Sequence, residues 1–311
     1  MERTGERAVK TETLTGQGAP AWPPLVIAVA GGAMLIWGAS PIVTKLAVAD
    51  VSPLAVGLLR TLCGALFAVP LLALARARFP VGRRARGALA VSATGGFVLF
   101  PLLFSLGMGR TSAGHGALLL GILPVLTGLI AALVERRLPG GRWWLGCAVA
   151  VAGTVLLVGA RFGLGSEGAT WQGDALVLAS TLAVASGYVA GAHAAREIGT
   201  WPTTLWGLVL GGVLLLPLAP FAVSPAALFG APIVALAAIA YLGLVTSIVG
   251  YAAWYWALAR GGIGRTGLAQ FVMPLIGLVL AVAVLGEVLT WPMAVAAVAI
   301  LGGVALARKT A

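Results

Sequence analysis

The sequence predicts an all-α integral membrane protein of ten transmembrane helices, built as two five-helix halves that enter the membrane in opposite senses. Three observations carry this. Of 311 residues 60% are hydrophobic and only 9% charged, against roughly 25% charged in an average soluble domain. No water-soluble interior holds that much apolar side chain, so the solvent is lipid. Apolar runs of about 20 residues follow one another with short loops between them, each long enough to cross a hydrocarbon core of roughly 30 Å. The pattern of the first half then returns about 150 residues later, as a duplication would leave it.

Residues 1–22 are polar and carry Arg3, Arg7 and Lys10 beside Glu2, Glu6 and Glu12. With no apolar core or small-residue cleavage site, they read as a flexible cytoplasmic tail and not a cleaved signal. The spans fall at about 23–45, 53–75, 87–108, 115–134 and 142–160, then at 174–194, 203–223, 233–258, 266–285 and 291–307. The first half is therefore 23–160 and the second 174–307. The longest loop, 161–173, joins them on the periplasmic side, and 308–311 is a second cytoplasmic tail.

Orientation follows from Lys and Arg, which mark cytoplasmic loops. With the N-terminus inside, sixteen of the twenty Lys and Arg fall inside, and only Lys45, Arg60, Arg110 and Arg161 fall outside or within spans. Both termini are then cytoplasmic. Five spans is an odd number, so the second half must run inverted. The loop after the second span holds Arg76, Arg78, Arg83, Arg84 and Arg86, whereas its counterpart near 221–232 is uncharged. Such a repeat has a pseudo-two-fold axis in the membrane plane, with the substrate site of a carrier beside it.

The halves share their punctuation. Arg110, Thr111, Gly114, Pro124, Glu135 and Gly153 recur as Arg260, Gly261, Gly264, Pro274, Glu287 and Gly302. Pro53 aligns with Pro202, Pro70 with Pro217, Gly95 with Gly243 and Phe104 with Trp254.

Enzyme signatures are absent: no phosphate-cradling Gly-rich Lys loop, no His-Glu-x-x-His, no nucleophile elbow. The charge of +11 lies in loops between apolar runs, which is a topology signal and not a nucleic-acid-binding face. No metal or cofactor is expected. Cys63 and Cys147 lie inside apolar runs and read as small core residues.

Against this apolar background the polar groups stand out. Arg60 lies within the second span and must face a cavity, meet a partner or reach an interface, because an unpaired cation in lipid is costly; in a cavity it would anchor a substrate carboxylate. Lys45 reads as an interfacial charge. His115, between Gly114 and Gly116 at the start of the fourth span, is either an imidazole at the outer interface or a proton-linked gate. His193 reads as interfacial. Trp37, Tyr188 and Tyr251 lie deep enough to offer ring faces to a cavity, and Gln270 is deep enough to need a partner. Pro41, Pro101, Pro124 and Pro274 interrupt spans, each removing a backbone donor, and serve as kinks or gating hinges. Glu135 and Glu287 close equivalent spans and suggest a shared cap or ion pair. Gly207 and Gly211 have the spacing of a helix-contact motif, a weak signal for dimerisation.

Trp37-Gly38-Ala39-Ser40, Leu59-Arg60, Pro124 with Glu135-Arg136, and Pro274 with Gly286-Glu287 resemble the EamA-type branch of the drug/metabolite transporter superfamily. The likeness covers essentially everything after the tail, and each half resembles one EamA repeat. The first half departs locally, with Val134-Glu135 where the second has Gly286-Glu287. Within that branch the chain looks most like the exporters of aromatic and other neutral amino acids. The resemblance implies a cofactor-independent carrier of the bacterial inner membrane, lined by Trp37, Ser40, Phe104, Leu119, Tyr188, Tyr251, Trp254 and Gln270. It implies export of small amphipathic metabolites by alternating access. Sugar-phosphate, nucleotide-sugar or drug transport is the alternative, and a membrane enzyme or lipid-handling protein the reading from another class. Partners are then a small-molecule substrate and membrane lipid, without nucleic acid, for a monomer or weak homodimer.

Overall fold

The computed structural model describes residues 23–136, 140–159 and 170–308. The tail at 1–22, most of the 161–173 linker and residues 309–311 lie outside the described residues. The helices are α1 (Pro24–Asp50), α2 (Pro53–Leu74), α3 (Arg83–Met108), α4 (Ala113–Glu135), α5 (Gly141–Gly159), α6 (Trp171–Ile198), α7 (Thr200–Ala222) and α8 (Ile233–Gly261). Then come α9 (Ile263–Gly267, continuing through Leu268–Phe271 into Val272–Leu285) and α10 (Trp291–Arg308). Seven of them, α1–α4 and α6–α8, are long and apolar enough to cross a membrane, and α5, α9 and α10 supply shorter apolar helices.

Starts and stops follow from the residues. Ser52, Ser112, Thr170 and Ser224 each accept a backbone N–H three residues on, satisfying a donor that the first turn leaves unpaired. Prolines occupy first-turn positions, where a missing N–H is harmless. Gly262, at φ 81°, is the one residue between α8 and α9; a side chain there would be strained.

Helix interiors break where the prolines stand. Pro41 interrupts α1 at Ala39. In α3, Pro101 follows a π-type stretch, Ala93–Leu99; lacking an N–H, it cannot bond to the Phe97 carbonyl, which accepts the Thr61 hydroxyl of α2 at 2.9 Å. Tight turns at Leu120–Ile122 in α4 and Leu268–Phe271 in α9 precede Pro124 and Pro274. A second π-type stretch, Tyr241–Gly250, sits in α8. Each distortion in α3 and α4 thus has a counterpart in α8 and α9.

Like helices of the two halves pack on each other: α2 on α7, α4 on α9, and α5 on α10. Small residues allow the approach. A Cβ on Gly303 would lie 2.5 Å from the α5 backbone, and one on Gly95 would lie 2.4 Å from the Ala183 carbonyl of α6. Gly207 and Gly211 are filled from within the chain, since both face Phe97 of α3. That spacing therefore serves internal packing, and it carries no dimer signal. Outward-facing Leu35, Leu66, Leu214 and Val298 are exposed, as lipid requires.

Candidate functional site

Four rings from three helices close on one another at the centre of the bundle. Trp37 of α1 stacks on Tyr188 of α6, with centroids 5.1 Å apart and planes 7° from parallel. Tyr251 and Trp254 of α8 meet both edge-on at 5.1 to 5.9 Å, the geometry that ring quadrupoles favour. The distorted backbones position them. The Trp37 indole N–H donates to the Thr246 carbonyl at 3.0 Å and the Tyr251 hydroxyl to the Gly96 carbonyl at 2.9 Å, and both acceptors lie in the π-type stretches. Gly250 is needed beside them, because a Cβ there would stand 2.6 Å from the Trp37 indole nitrogen.

Three of these rings, those of Trp37, Tyr188 and Tyr251, wall a closed cavity of about 10 Å³, room for about one water. Trp37, Ser40, Arg60, Tyr188 and Tyr251 line it with Phe100, Leu120, Leu123 and Met273. Among the described residues Arg60 is its only charged lining residue. The guanidinium is 2% exposed; Nη2 donates to the Thr246 hydroxyl at 3.1 Å and Cζ lies 5.5 Å from the centre of the Phe100 ring. Nε and Nη1 have no partner. A desolvated cation with open donors is costly, by several kcal/mol in order of magnitude, unless a ligand completes it.

The two ends of the bundle differ. Around the turn that starts α4, Lys45 Nζ donates to the Met108 and Thr111 carbonyls at 3.1 and 2.7 Å. Glu287, from the loop after α9, accepts the Ala113 and Gly114 amides at 2.7 and 2.8 Å. The Thr111 hydroxyl donates to Asp174 Oδ1 at 2.7 Å, and Asp174 Oδ2 lies 3.6 Å from His115 Nδ1. Chain segments from α1, α4, α6 and α9 are therefore tied together at this end. At the opposite end, α3, α4 and α6 border a vestibule of about 880 Å³ carrying Arg84, Glu135, His193, Arg196 and Glu197. There Arg84 Nε and Glu197 Oε1 are 3.5 Å apart on an exposed surface. Leu123 in the cavity and Ile130 in the vestibule are two helical turns apart on α4, about 10 Å.

Of the residues expected to form a site, Trp37, Ser40, Arg60, Tyr188 and Tyr251 meet at one cavity. Phe104 and Trp254 are fully buried behind its walls, stacking on Phe100 and packing on Trp37 respectively. Leu119 is buried next to the lining residue Leu120. Gln270 faces α4, where the Thr127 hydroxyl approaches its Oε1 at 3.4 Å and its Nε2 is unpartnered. Pro101, Pro124 and Pro274 each neighbour a lining residue, and Pro41 follows Ser40. Lys45 is half-buried and bonded to carbonyls. His115 is no interfacial ring: it is 2% exposed, because α6 begins at Trp171 and brings Asp174 in beneath it. Sequence reading missed Phe100, Leu120, Leu123, Met273 and Thr246; three of these, Phe100, Leu123 and Met273, directly precede span prolines.

An all-helical membrane-embedded bundle around a closed, ring-walled pocket is the architecture of a multi-pass transporter. The chain belongs to the EamA-like transporter family, within the drug/metabolite transporter superfamily; the family's model matches it twice, over residues 24–159 and 171–308. It is 34% identical over 278 residues to the uncharacterized transporter YdeK of Bacillus subtilis (strain 168), covering 89% of this chain and 95% of that protein. It is 29% identical over 221 residues to a probable terminal-alkyne amino-acid exporter of Streptantibioticus cattleyicolor, covering 70% of this chain and 72% of that protein. It is 26% identical over 284 residues to a probable amino-acid metabolite efflux pump of Salmonella typhimurium, covering 87% of this chain and 90% of that protein. Its fold is similar to that of a protein of solved crystal structure, with TM-score 0.66 and 19% identity over 91% of this chain and 97% of that one.

Proposed function

We propose that the chain is a secondary exporter of small amphipathic metabolites, amino acids foremost, working by alternating access across a bacterial inner membrane. Ten spans form two inverted halves with both termini cytoplasmic. The observation that carries this reading is Arg60, buried at a ring-walled cavity with two donors open. Nε and Nη1 lie on different edges of the guanidinium, and each leaves an open N–H that can donate to a carboxylate oxygen. An ammonium finds the faces of Trp37, Tyr188 and Tyr251, and an apolar side chain finds Leu120, Leu123 and Met273. The matched distortions of α3 with α8 and of α4 with α9 support the inverted pairing. The names of two relatives support the substrate class.

The closed cavity, the tied end at Glu287 and the vestibule at Arg84 fit a carrier between its open states, nearer to opening at the arginine-rich face. Sugar-phosphate exchange would call for several cations around a dianion, and the described lining offers Arg60 alone. Counterflow of labelled neutral amino acids in proteoliposomes tests the reading. Saturable exchange of leucine or phenylalanine is the expected outcome. Exchange of phosphate esters without exchange of any amino acid overturns it.

A further inference from the structure

We infer that the groove between α2 and α7 at the arginine-rich face binds one anionic phospholipid, with its phosphate on Arg76 and Trp206 and an acyl chain along the seam. The site is separate from the substrate cavity and takes nothing from the amino-acid reading.

The groove is open and holds about 440 Å³. Val69 and Leu72 of α2, and Arg76 just beyond its end, line it together with Trp206 and Val209 of α7. Val69 and Arg76 are about two helical turns apart, about 10 Å, so the apolar part runs inward from the charged end. Leu66, Val69 and Leu74 of α2 are exposed, so the groove opens onto the lipid-facing surface.

Two groups in it lack a partner. Trp206 Nε1 is buried with no hydrogen-bond acceptor, and the Phe79 ring meets the indole edge-on at 5.1 Å, which fixes its place in the groove. A buried N–H left unmet is costly, and a phosphate or ester oxygen of a lipid meets it. Arg76 ends α2 in the left-handed region at φ 47°, its N–H on the Ala73 carbonyl and the Ala77 N–H on the Leu72 carbonyl. Glycine suits that position, and an arginine there carries backbone strain. Among the described residues Arg76 has no ion pair to offset it.

The neighbouring charges are all of one sign. Arg76, Arg78, Arg83, Arg84 and Arg86 lie within 76–86 with no acid between them, and among the described residues only Arg84 is paired, with Glu197. Basic clusters directly beyond a membrane helix, with a pocket between helices beside them, recognise anionic headgroups. The equivalent stretch after α7, 221–232, is uncharged, so the repeat itself does not call for these arginines. A lipid in this groove touches α2 of the first half and α7 of the second at once.

Native mass spectrometry of the full-length protein in detergent, titrated with dioleoylphosphatidylglycerol or with dioleoylphosphatidylcholine, tests the site. The two lipids share their chains, so the difference reads the headgroup. We expect one phosphatidylglycerol to be retained about tenfold more tightly than phosphatidylcholine, the worth of a hydrogen bond to a charged group. R76G removes the charge at a backbone position that glycine suits, and it should abolish the preference; R76K, which keeps the charge, should retain most of it. W206F keeps the ring and removes the N–H, and it should weaken both lipids by about threefold. R83Q removes the same charge from outside the groove and should change the preference by no more than about twofold. Equal binding of the two lipids overturns the inference. So does a preference lost as fully in R83Q as in R76G, which would make the arginines a diffuse basic surface. A protein dimer that persists as lipid is added, with no tightly held lipid, assigns the groove to a second copy and overturns it too. Melting temperatures without lipid check that each variant folds, and if W206F does not, the R76G and R76K pair decides.

Discussion

At the scale of single residues, Arg60 offers a test that separates the proposed binding role from folding. A buried guanidinium with Nε and Nη1 open contributes little to the stability of the empty protein, and removing it removes a desolvated cation. R60L is therefore expected to leave the melting temperature in detergent unchanged or raised, while weakening carboxylate substrates by about 10- to 100-fold, the worth of a charge-assisted hydrogen bond. Thermal denaturation and competition for counterflow read the two effects. A lower melting temperature with unaltered affinity would make Arg60 a structural residue. The sequence showed this much because Arg60, Trp37, Tyr188 and Tyr251 are polar or amphipathic groups in runs of Ala, Leu, Val and Gly. Phe100, Leu120, Leu123 and Met273 could not be singled out that way. In lipid an apolar side chain faces outward as readily as inward, so periodicity does not separate cavity from surface. Their nearness to Pro101, Pro124 and Pro274 was the available signal.

At the scale of the helix, the prolines create carbonyls that other helices satisfy. Thr61 of α2 answers the Phe97 carbonyl that Pro101 leaves unpaired. T61V is expected to lower stability by about 1–3 kcal/mol, the cost of a buried acceptor without a donor. P101A supplies an N–H and should recover part of that loss in the double variant; additive losses in denaturation would disprove the coupling. Close crossings behave differently. A Cβ on Gly191 would stand 2.3 Å from the Tyr255 ring, so G191A should destabilise by about 1–3 kcal/mol through overpacking. A thermal shift would show it. The proline positions were legible in the sequence. The π-type stretches were not, because no residue type specifies them, and neither was the burial of His115, which depends on α6 starting at Trp171.

At the scale of the whole molecule, one carboxylate from the second half holds a helix start of the first. Removing it with E287A leaves the Ala113 and Gly114 amides bare. Hydrogen exchange across 113–116 should accelerate by about tenfold or more, with little change in α10 or α5, if this tie costs about 1–2 kcal/mol to lose. Uniform acceleration over the chain would point to global destabilisation instead. Sidedness is equally direct: cysteines at Arg84 and Arg110 should label from opposite faces of the membrane, the first from the cytoplasm, and labelling from one face would refute the proposed topology. The duplication was readable from paired prolines and glutamates. The asymmetry between a tied end and a vestibule was not, since it depends on contacts between helices far apart in the sequence, such as Glu287 with Ala113 and Gly114.

The Trp37–Tyr188 stack has one more consequence. At about 10 Å³ the cavity beside this stack has room for about one water. If the proposed cargo binds at this cavity, the indole and phenol faces must part to admit it.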